Sequence, residues 1–363
     1  MSADAFVFAV CQRGAESALK NEAARARPDL RAGYQRPGLV TFKGPPDAAA
    51  RTPAPVFARA WGASLGTAVD FDALAERLAG EPALGVGPWH LHVFERDGAR
   101  PGEAPPALAV GARAAGVEQA LRERLRETFR PAGFPAPGDV VVDVVVAPDR
   151  ANERDDPWLV GWHRHGAEHS PNPGGHIPVP SRPGAPSRAY RKIEEALAVS
   201  GFAPQPGQRV VELGAAPGGT AYAMLERGLH VVAVDPQEMN PAVAALAEAR
   251  GLEYAHVASP MAAVRLEALP REVQWLLMDV HLAPQVALHS VTRWVGWWRK
   301  TLEGVVFTLK LGTWEDANEL PTWLERMRAL GLEDVHAVQL PSNRQEVCAY
   351  GRMARGRPAR RGR

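Results

Sequence analysis

The feature that most limits how this chain can fold is the apolar run Arg209-Val210-Val211-Glu212-Leu213, which passes directly into Gly214-Ala215-Ala216-Pro217-Gly218-Gly219. A helix-forming stretch, Thr220 to Arg227, follows at once. A strand that empties into a glycine loop and then a helix is the opening unit of an open α/β sheet, where ligands bind at the carboxyl ends of the strands. The glycine order is not that of a dinucleotide loop: GxGxxG is absent, and Pro217 stands where the pyrophosphate turn would be built. The next apolar run ends at Val234-Asp235, and a carboxylate about 20 residues past the loop can accept both hydroxyls of a ribose. Loop and acid together predict a cofactor pocket made by Gly214, Ala215, Pro217, Gly218, Gly219, Thr220 and Asp235.

The same alternation continues to residue 353. Helices are expected over 187–199, 220–227, 242–250, 286–302 and 314–330, and strands over 209–213, 229–234, 252–257, 274–280, 304–310, 335–339 and 346–350. Short apolar strands separated by helices imply a doubly wound, Rossmann-like α/β domain with a mostly parallel, seven-stranded sheet. The tryptophans of Trp294-Val295-Gly296-Trp297-Trp298 suggest base stacking, but the first and last lie one helical turn apart, which favours packing against the sheet.

Before that domain comes a proline- and glycine-rich stretch, His169 to Ser187, that is neither helix nor central strand. The expected organisation is a smaller α+β region over 1–168, a linker over 169–186, the Rossmann-like domain over 187–353 and a basic tail over 354–363. The first region reads as strand Phe6 to Cys11, helix Ala15 to Ala26 and strand Leu39 to Lys43. After a break at Pro101 to Pro106, a helix from Gly116 to Phe129 places Val117, Leu121, Leu125 and Phe129 on one stripe, with Arg122, Arg124 and Arg126 off it. Runs Trp89 to Phe94, Val140 to Val146 and Trp158 to Trp162 are expected to form a second small sheet.

Composition narrows the partners. With 46% hydrophobic and 23% charged residues in 363, the chain can bury real cores, and its length favours more than one domain. Cys11 and Cys348, the two cysteines, are too few for a disulfide framework or a cysteine zinc site and read as buried strand residues. No secretion-type leader is visible and no apolar run approaches about 20 residues, so a cytoplasmic protein with no membrane partner is expected. Net charge is only +1, but Arg352, Arg355, Arg357, Arg360, Arg361 and Arg363 concentrate charge where phosphate could be met. His163, His165, His169 and His176 cluster near the linker; no carboxylate or cysteine at ligand spacing completes a site, and no metal is expected.

Glu212-Leu213-Gly214-Ala215-Ala216-Pro217-Gly218-Gly219 resembles the first motif of the FtsJ-type S-adenosylmethionine-dependent 2′-O-ribose methyltransferases, with Glu212 where that family often has aspartate. The resemblance runs in order through Ser187-Arg188-Ala189-Tyr190-Arg191-Lys192, Leu277-Met278-Asp279, Thr308-Leu309-Lys310 and Asn343-Arg344-Gln345-Glu346. It implies a Lys192, Asp279, Lys310 and Glu346 catalytic tetrad with Lys310 as general base, Asp279 also lining the cofactor site, and S-adenosyl-L-methionine as cofactor. The linker, Ser170-Pro171-Asn172-Pro173-Gly174-Gly175-His176-Ile177-Pro178 onward, is similar to that of the bacterial 23S rRNA cytidine 2′-O-methyltransferases, which carry a THUMP domain. Cys11-Gln12-Arg13-Gly14-Ala15-Glu16 resembles their Cys-Pro-Gly-Phe-Glu start. The implied partner is RNA, 23S rRNA or a ribosome-assembly precursor, held by a THUMP-like N-terminal region. Thr220 replaces the family's frequent tryptophan, and Ala258-Ser259-Pro260 stands where an acid usually meets adenine. The alternatives are a non-catalytic RNA-binding protein with a degenerate methyltransferase domain, or a methyltransferase acting on a small molecule or protein.

From the residues alone the four polar groups must be treated as one coupled unit. Lys192 beside Lys310 would lower its pKa and the two carboxylates would raise it, so sequence does not sign the net shift.

Overall fold

The computed structural model describes residues 5–51, 54–85, 87–99, 111–148, 152–153 and 155–354. The chain divides into two compact units, Met1–Pro178 and Val179–Arg363. The Pro101 to Pro106 break and the tail arginines from Arg355 onward lie outside the described residues.

The first unit runs β1 (Ala5–Cys11), α1 (Glu16–Ala26), β2 (Arg31–Arg36), β3 (Leu39–Gly44), α2 (Ala48–Arg51), β4 (Ala58–Ala68), α3 (Phe71–Ala79), β5 (His90–Glu95), α4 (Ala112–Arg124), β6 (Val140–Val146) and β7 (Trp158–Arg164). Its strands form one sheet, β2-β3-β1-β4-β7-β6-β5, rather than two small ones. The reason is β4, a long strand of small residues that pairs with β1 on one side and β7 on the other and so joins what sequence read as separate pieces. On one face Leu74 and Leu78 of α3 and Leu121 of α4 cover Val93, Val142, Val144 and Val160. On the other, Phe8, Val10, Phe94, Val145 and Leu159 cluster. Each such side chain contributes about 1.5–3 kcal/mol by leaving water. Helix α4 lies earlier than expected: Leu125 caps it, and Phe129 leaves the helix to bridge Trp89, still buried in the same core.

The second unit runs α5 (Ala189–Ser200), β8 (Arg209–Leu213), α6 (Gly219–Glu226), β9 (His230–Val234), α7 (Pro241–Arg250), β10 (Tyr254–Val257), β11 (Trp275–Met278), α8 (Pro284–Trp297), β12 (Gly304–Lys310), α9 (Leu320–Ala329), β13 (Leu332–Val338) and β14 (Glu346–Met353). The sheet order is β10-β9-β8-β11-β12-β14-β13. The strands from β10 to β12 are parallel, and β14 runs antiparallel to both its neighbours. Val210, Val211, Leu213, Leu276, Leu277, Val305 and Phe307 are buried, as strands covered on both faces require. Chain order reverses at β8, with β9 and β10 on one side and β11 and β12 on the other. That switch point is where an open α/β sheet leaves a crevice for a ligand.

Helix α8 stops at Trp297, short of the expected 302, while Trp294 and Trp298 are buried against each other and Trp297 turns outward. The expected helix over 314–330 is instead a 3-10 turn, Trp314–Glu319, closed by a capping box and followed by α9 with Pro321 in its first turn. No helix among the described residues is long and apolar enough to cross a membrane.

Candidate active site

Lys192, Asp279, Lys310 and Glu346 come from α5, the end of β11, the last residue of β12 and the first residue of β14. The antiparallel register sets Lys310 directly opposite Glu346. The four side chains close a square of alternating charge in which each carboxylate offers one oxygen to each lysine. Lys192 Nζ lies 3.3 Å from Asp279 Oδ2 and 2.5 Å from Glu346 Oε1. Lys310 Nζ lies 2.7 Å from Asp279 Oδ1 and 2.5 Å from Glu346 Oε2. Glu346 is the most enclosed, with its side chain 8% exposed, while the other three are near 20%.

The geometry signs the shift that the residues alone left open. Burial pulls the Lys310 ammonium down, but Asp279 and Glu346 together outweigh it and hold its pKa above the ordinary lysine value. Burial pushes Glu346 up, yet the two lysines win and bring it down to about 2. In the resting square Lys310 is thus protonated and Glu346 ionised.

The glycine loop is built by its own protein rather than by empty space. Gly214 has φ +80°, and a Cβ there would lie 2.4 Å from the Asp279 carbonyl oxygen. Gly218 has φ +112°, and its Cβ would meet Val243 Cγ2 at 2.5 Å and Met239 Cε at 3.0 Å. At Gly219 the Cβ would strike Ser187 Oγ at 2.3 Å. These glycines let β8 approach β11 and let α6 start against α5 and α7, a reason different from the direct ligand clearance that sequence suggests. Asp235 fixes the loop: its carboxylate accepts from Ala216 N at 3.0 Å and Gln237 N at 2.8 Å, and each oxygen keeps a further lone pair for a ligand. Asn240 N donates to Pro217 O at 3.0 Å, and Ala215 is buried.

Thr220 is turned inward, where its hydroxyl meets the Glu212 carboxyl. Glu212 is buried, and burial pushes its carboxyl well above the usual range despite help from Thr220 and the Ala221 amide. A small cavity lined by Lys192, Glu212, Thr220, Asp279, Thr308 and Cys348 adjoins the square through Lys192 and Asp279. Ser259 follows β10, its amide bonded to Val257 O.

Sequence reasoning missed a layer behind the tetrad. Glu195, on α5 one turn past Lys192, is fully buried and accepts from Ser342 N at 2.8 Å and Ser342 Oγ at 2.7 Å. Asn343 Nδ2 donates to Glu346 Oε1 at 3.0 Å. The sequence signals were present: an acid at i+3 from the helix lysine, and an amide three residues before the strand glutamate.

In the first unit, the carboxylate that sequence did not supply for the histidine cluster is Asp143 on β6. It lies 2.6 Å from His163 Nδ1 and 3.8 Å from His92 Nδ1. His163 stacks on His169, which stacks on Trp61, while His165 is tilted against both histidines. Burial lowers His92 and His169 to about 4, so both rings are neutral at neutral pH. Among the described residues no group of three histidine, cysteine, aspartate or glutamate side chains is arranged to hold a metal ion. Cys11 and Cys348 are free and buried in strands.

A parallel sheet reversing at β8, a glycine loop after that strand and an acid ending the next define a Rossmann-like unit of the methyltransferase type. Residues 185–295 match the model of the FtsJ-like methyltransferases. The chain is 35% identical over 180 residues to "Ribosomal RNA large subunit methyltransferase M" of Halorhodospira halophila, covering 48% of this chain and 50% of that protein. The protein of the same name from Sodalis glossinidius is 31% identical over 181 residues, 47% of each chain, and that from Yersinia pestis 30% over 189 residues, 49% of each. The chain thus spans about half the length of the curated relatives it matches.

Proposed function

We propose that this chain is an S-adenosylmethionine-dependent methyltransferase of ribosomal RNA that modifies a ribose 2′-hydroxyl, with a cytidine of 23S rRNA as its target. The observation that carries the reading is the closed Lys192, Asp279, Lys310 and Glu346 square at the carboxyl end of the sheet. The names of the relatives support ribosomal RNA as the substrate class. The cytoplasm is the compartment this reading implies, and the first unit is assigned to holding RNA.

The residues present suit the cofactor. Asp235 stands at the end of β9 with lone pairs to spare for a ribose diol, and Asp279 at the end of β11 offers negative charge to a cationic methionyl end. Gly214, Ala215, Pro217, Gly218 and Gly219 form the loop between them, with Thr220 behind it. When bound, S-adenosylmethionine supplies an electrophilic methyl group on a sulfonium. The chain's own task is to orient a ribose hydroxyl in line with that methyl and to take its proton, since the hydroxyl is a poor nucleophile.

Lys310 is the base in this reading. In the resting square it is protonated, so the productive form is the minority in which the proton has left to solvent and the amine lone pair faces the hydroxyl. Lys192, bonded to the same two carboxylates, is a like-charged neighbour that works against the protonated form of Lys310. Once the hydroxyl proton is transferred, Lys310 is again a cation and the square is restored.

The test is transfer of labelled methyl from S-adenosylmethionine to unmodified 23S rRNA, then nuclease digestion and identification of the nucleoside. Labelled 2′-O-methylcytidine is expected. Cofactor binding with no incorporation into rRNA, ribosomal particles or tRNA would overturn the reading in favour of a small-molecule enzyme or a non-catalytic binder.

A further inference from the structure

Glu346 bonds to both lysines of the square, yet it opens a strand entered from the turn over 339–345, and such a position is fixed only as well as the turn is. The turn is stitched closed. Leu340 N donates to Asn343 Oδ1 at 2.9 Å and Asn343 N returns a bond to Leu340 O at 2.9 Å. Gln339 Nε2 reaches Arg344 O at 2.9 Å, and Gln345 Nε2 reaches Gly312 O at 2.9 Å beyond the end of β12. Two bonds then lead out of the turn toward the chemistry. One is Asn343 Nδ2 to Glu346 Oε1; the other is the double bond of Ser342, amide and hydroxyl together, to the buried Glu195 carboxylate.

Glu195 lies one turn after Lys192, so a single face of α5 sends Lys192 to Glu346 and Glu195 to the turn that carries Glu346. A carboxylate with no solvent exposure is costly unless its bonds are well made. Here Ser342 supplies a pair and Arg191 Nε a third at 3.0 Å. The Ser342 bonds thus tie the turn to a helix residue 147 positions earlier in the chain.

We propose that Glu195, Ser342 and Asn343 form a positioning clamp that fixes Glu346 between the two lysines and so sets the protonation of Lys310. The inference rests on the methyltransferase reading for its consequence in turnover, but not for its effect on Lys310. The charged and titratable groups around Glu346 are Lys192, Lys310, Asp279, Glu195 and the thiol of Cys348, which burial keeps protonated. Of these only Asp279 and Glu346 hold the Lys310 proton. Loosening Glu346 leaves burial to act against one carboxylate instead of two, so the Lys310 pKa must fall.

The experiment uses the full chain with labelled lysine side chains and follows the Lys310 titration by NMR, its signal identified by loss in Lys310→Arg. Glu195→Gln, Ser342→Ala and Asn343→Ala are each expected to lower the Lys310 pKa by about one unit, the scale of one lost neighbouring charge. Turnover on 23S rRNA falls by about tenfold or more while S-adenosylmethionine affinity holds, the signature of misplacement at the reacting centre. Glu195→Gln with Ser342→Ala should cost no more than Glu195→Gln alone, because both remove one connection. Glu194→Gln is the control: Glu194 pairs with Arg227 at 2.5 Å, and its loss should leave Lys310 unmoved. Glu195→Gln keeps the volume of the buried side chain and guards against simple misfolding. An unshifted Lys310 in all three variants overturns the clamp, whether or not melting temperature drops. Absence of methyl transfer in the wild type overturns the methyltransferase reading instead, and the titration still decides the clamp.

Discussion

Lys310 Nζ and Glu346 Oε2 lie 2.5 Å apart, across the register that pairs the last residue of β12 with the first of β14. The antiparallel entry of β14 into an otherwise parallel sheet brings a strand beginning, with its carboxylate, to the edge where β12 ends. A strand end and a strand beginning that would lie at opposite ends of a parallel pair therefore meet at one point, and the proposed base sits between this carboxylate and that of Asp279.

Replacing Lys310 separates charge from basicity. Lys310→Ala is expected to reduce methyl transfer by about 10²- to 10⁴-fold, the usual worth of a general base, with cofactor affinity by calorimetry close to wild type. Lys310→Arg keeps a cation for Asp279 and Glu346 but cannot give up its proton. It should be as inactive as Lys310→Ala while melting near the wild-type temperature. An arginine variant retaining wild-type turnover would remove Lys310 from the role of base.

The pH dependence of the rate follows from the raised Lys310 pKa. The productive amine is a minority form below that pKa, and its fraction grows tenfold per pH unit. Single-turnover methyl transfer should therefore climb log-linearly from about pH 7 through pH 9 with no plateau. A plateau near neutrality would mean that the bound substrate resets Lys310 or that another group takes the proton.

Much of this was legible from local pattern. The strands of the second unit are short apolar runs buried on both faces, and the loop and tetrad residues sit at their ends, where sequence order itself reports position. Strands β2 and β4 were not legible. Every residue of Arg31–Arg36 on the edge strand is exposed, and Ala58–Ala68 is mostly Ala, Gly, Ser and Thr with Trp61 and Leu65 as its large apolar residues, so neither shows a plain apolar-polar alternation. Without β4 the first unit's sheet falls into two pieces. The Glu195 to Ser342 link and the Asp143 to His163 pair are contacts between distant segments, which no periodicity records.

Acid should weaken the two units in different windows. His92 and His169 fall from 6.5 to about 4 on folding, so the unfolded chain binds protons more readily than the folded one below pH 6.5. Their contribution is complete above pH 6.5 and lost as pH falls toward 4. Glu346 falls from 4.5 to about 2, so its contribution is complete above pH 4.5 and lost between there and about 2. A shift of this size corresponds to about 3 kcal/mol per group. Glu22 of the same unit is pushed up by burial to about 7 and gains stability as pH falls, offsetting part of this loss. The histidine share should therefore appear in denaturant melts and hydrogen exchange as first-unit protection that a His92→Gln, His169→Gln variant loses less of than wild type between pH 6.5 and pH 5, while the second unit holds. In Glu346→Gln the second unit should lack the step below pH 4.5.

Gly218 tests whether the loop is limited by ligand clearance or by its own backbone. At φ +112° any side chain is strained, and a Cβ would come within 2.5 Å of Val243 Cγ2 on α7. Gly218→Ala should therefore cost about 1–2 kcal/mol from conformation alone, plus what α7 loses in moving. Because Asn240 at the start of α7 bonds to Pro217 O, a shifted α7 drags the loop with it, and cofactor affinity should drop together with melting temperature. Adding Val243→Ala opens the space that the new Cβ needs but leaves φ unrelieved. The double variant should regain part of both stability and affinity, in parallel. If Gly218→Ala lost affinity at wild-type stability, and Val243→Ala restored nothing, the glycine would be there for the ligand rather than for the packing of α6 and α7.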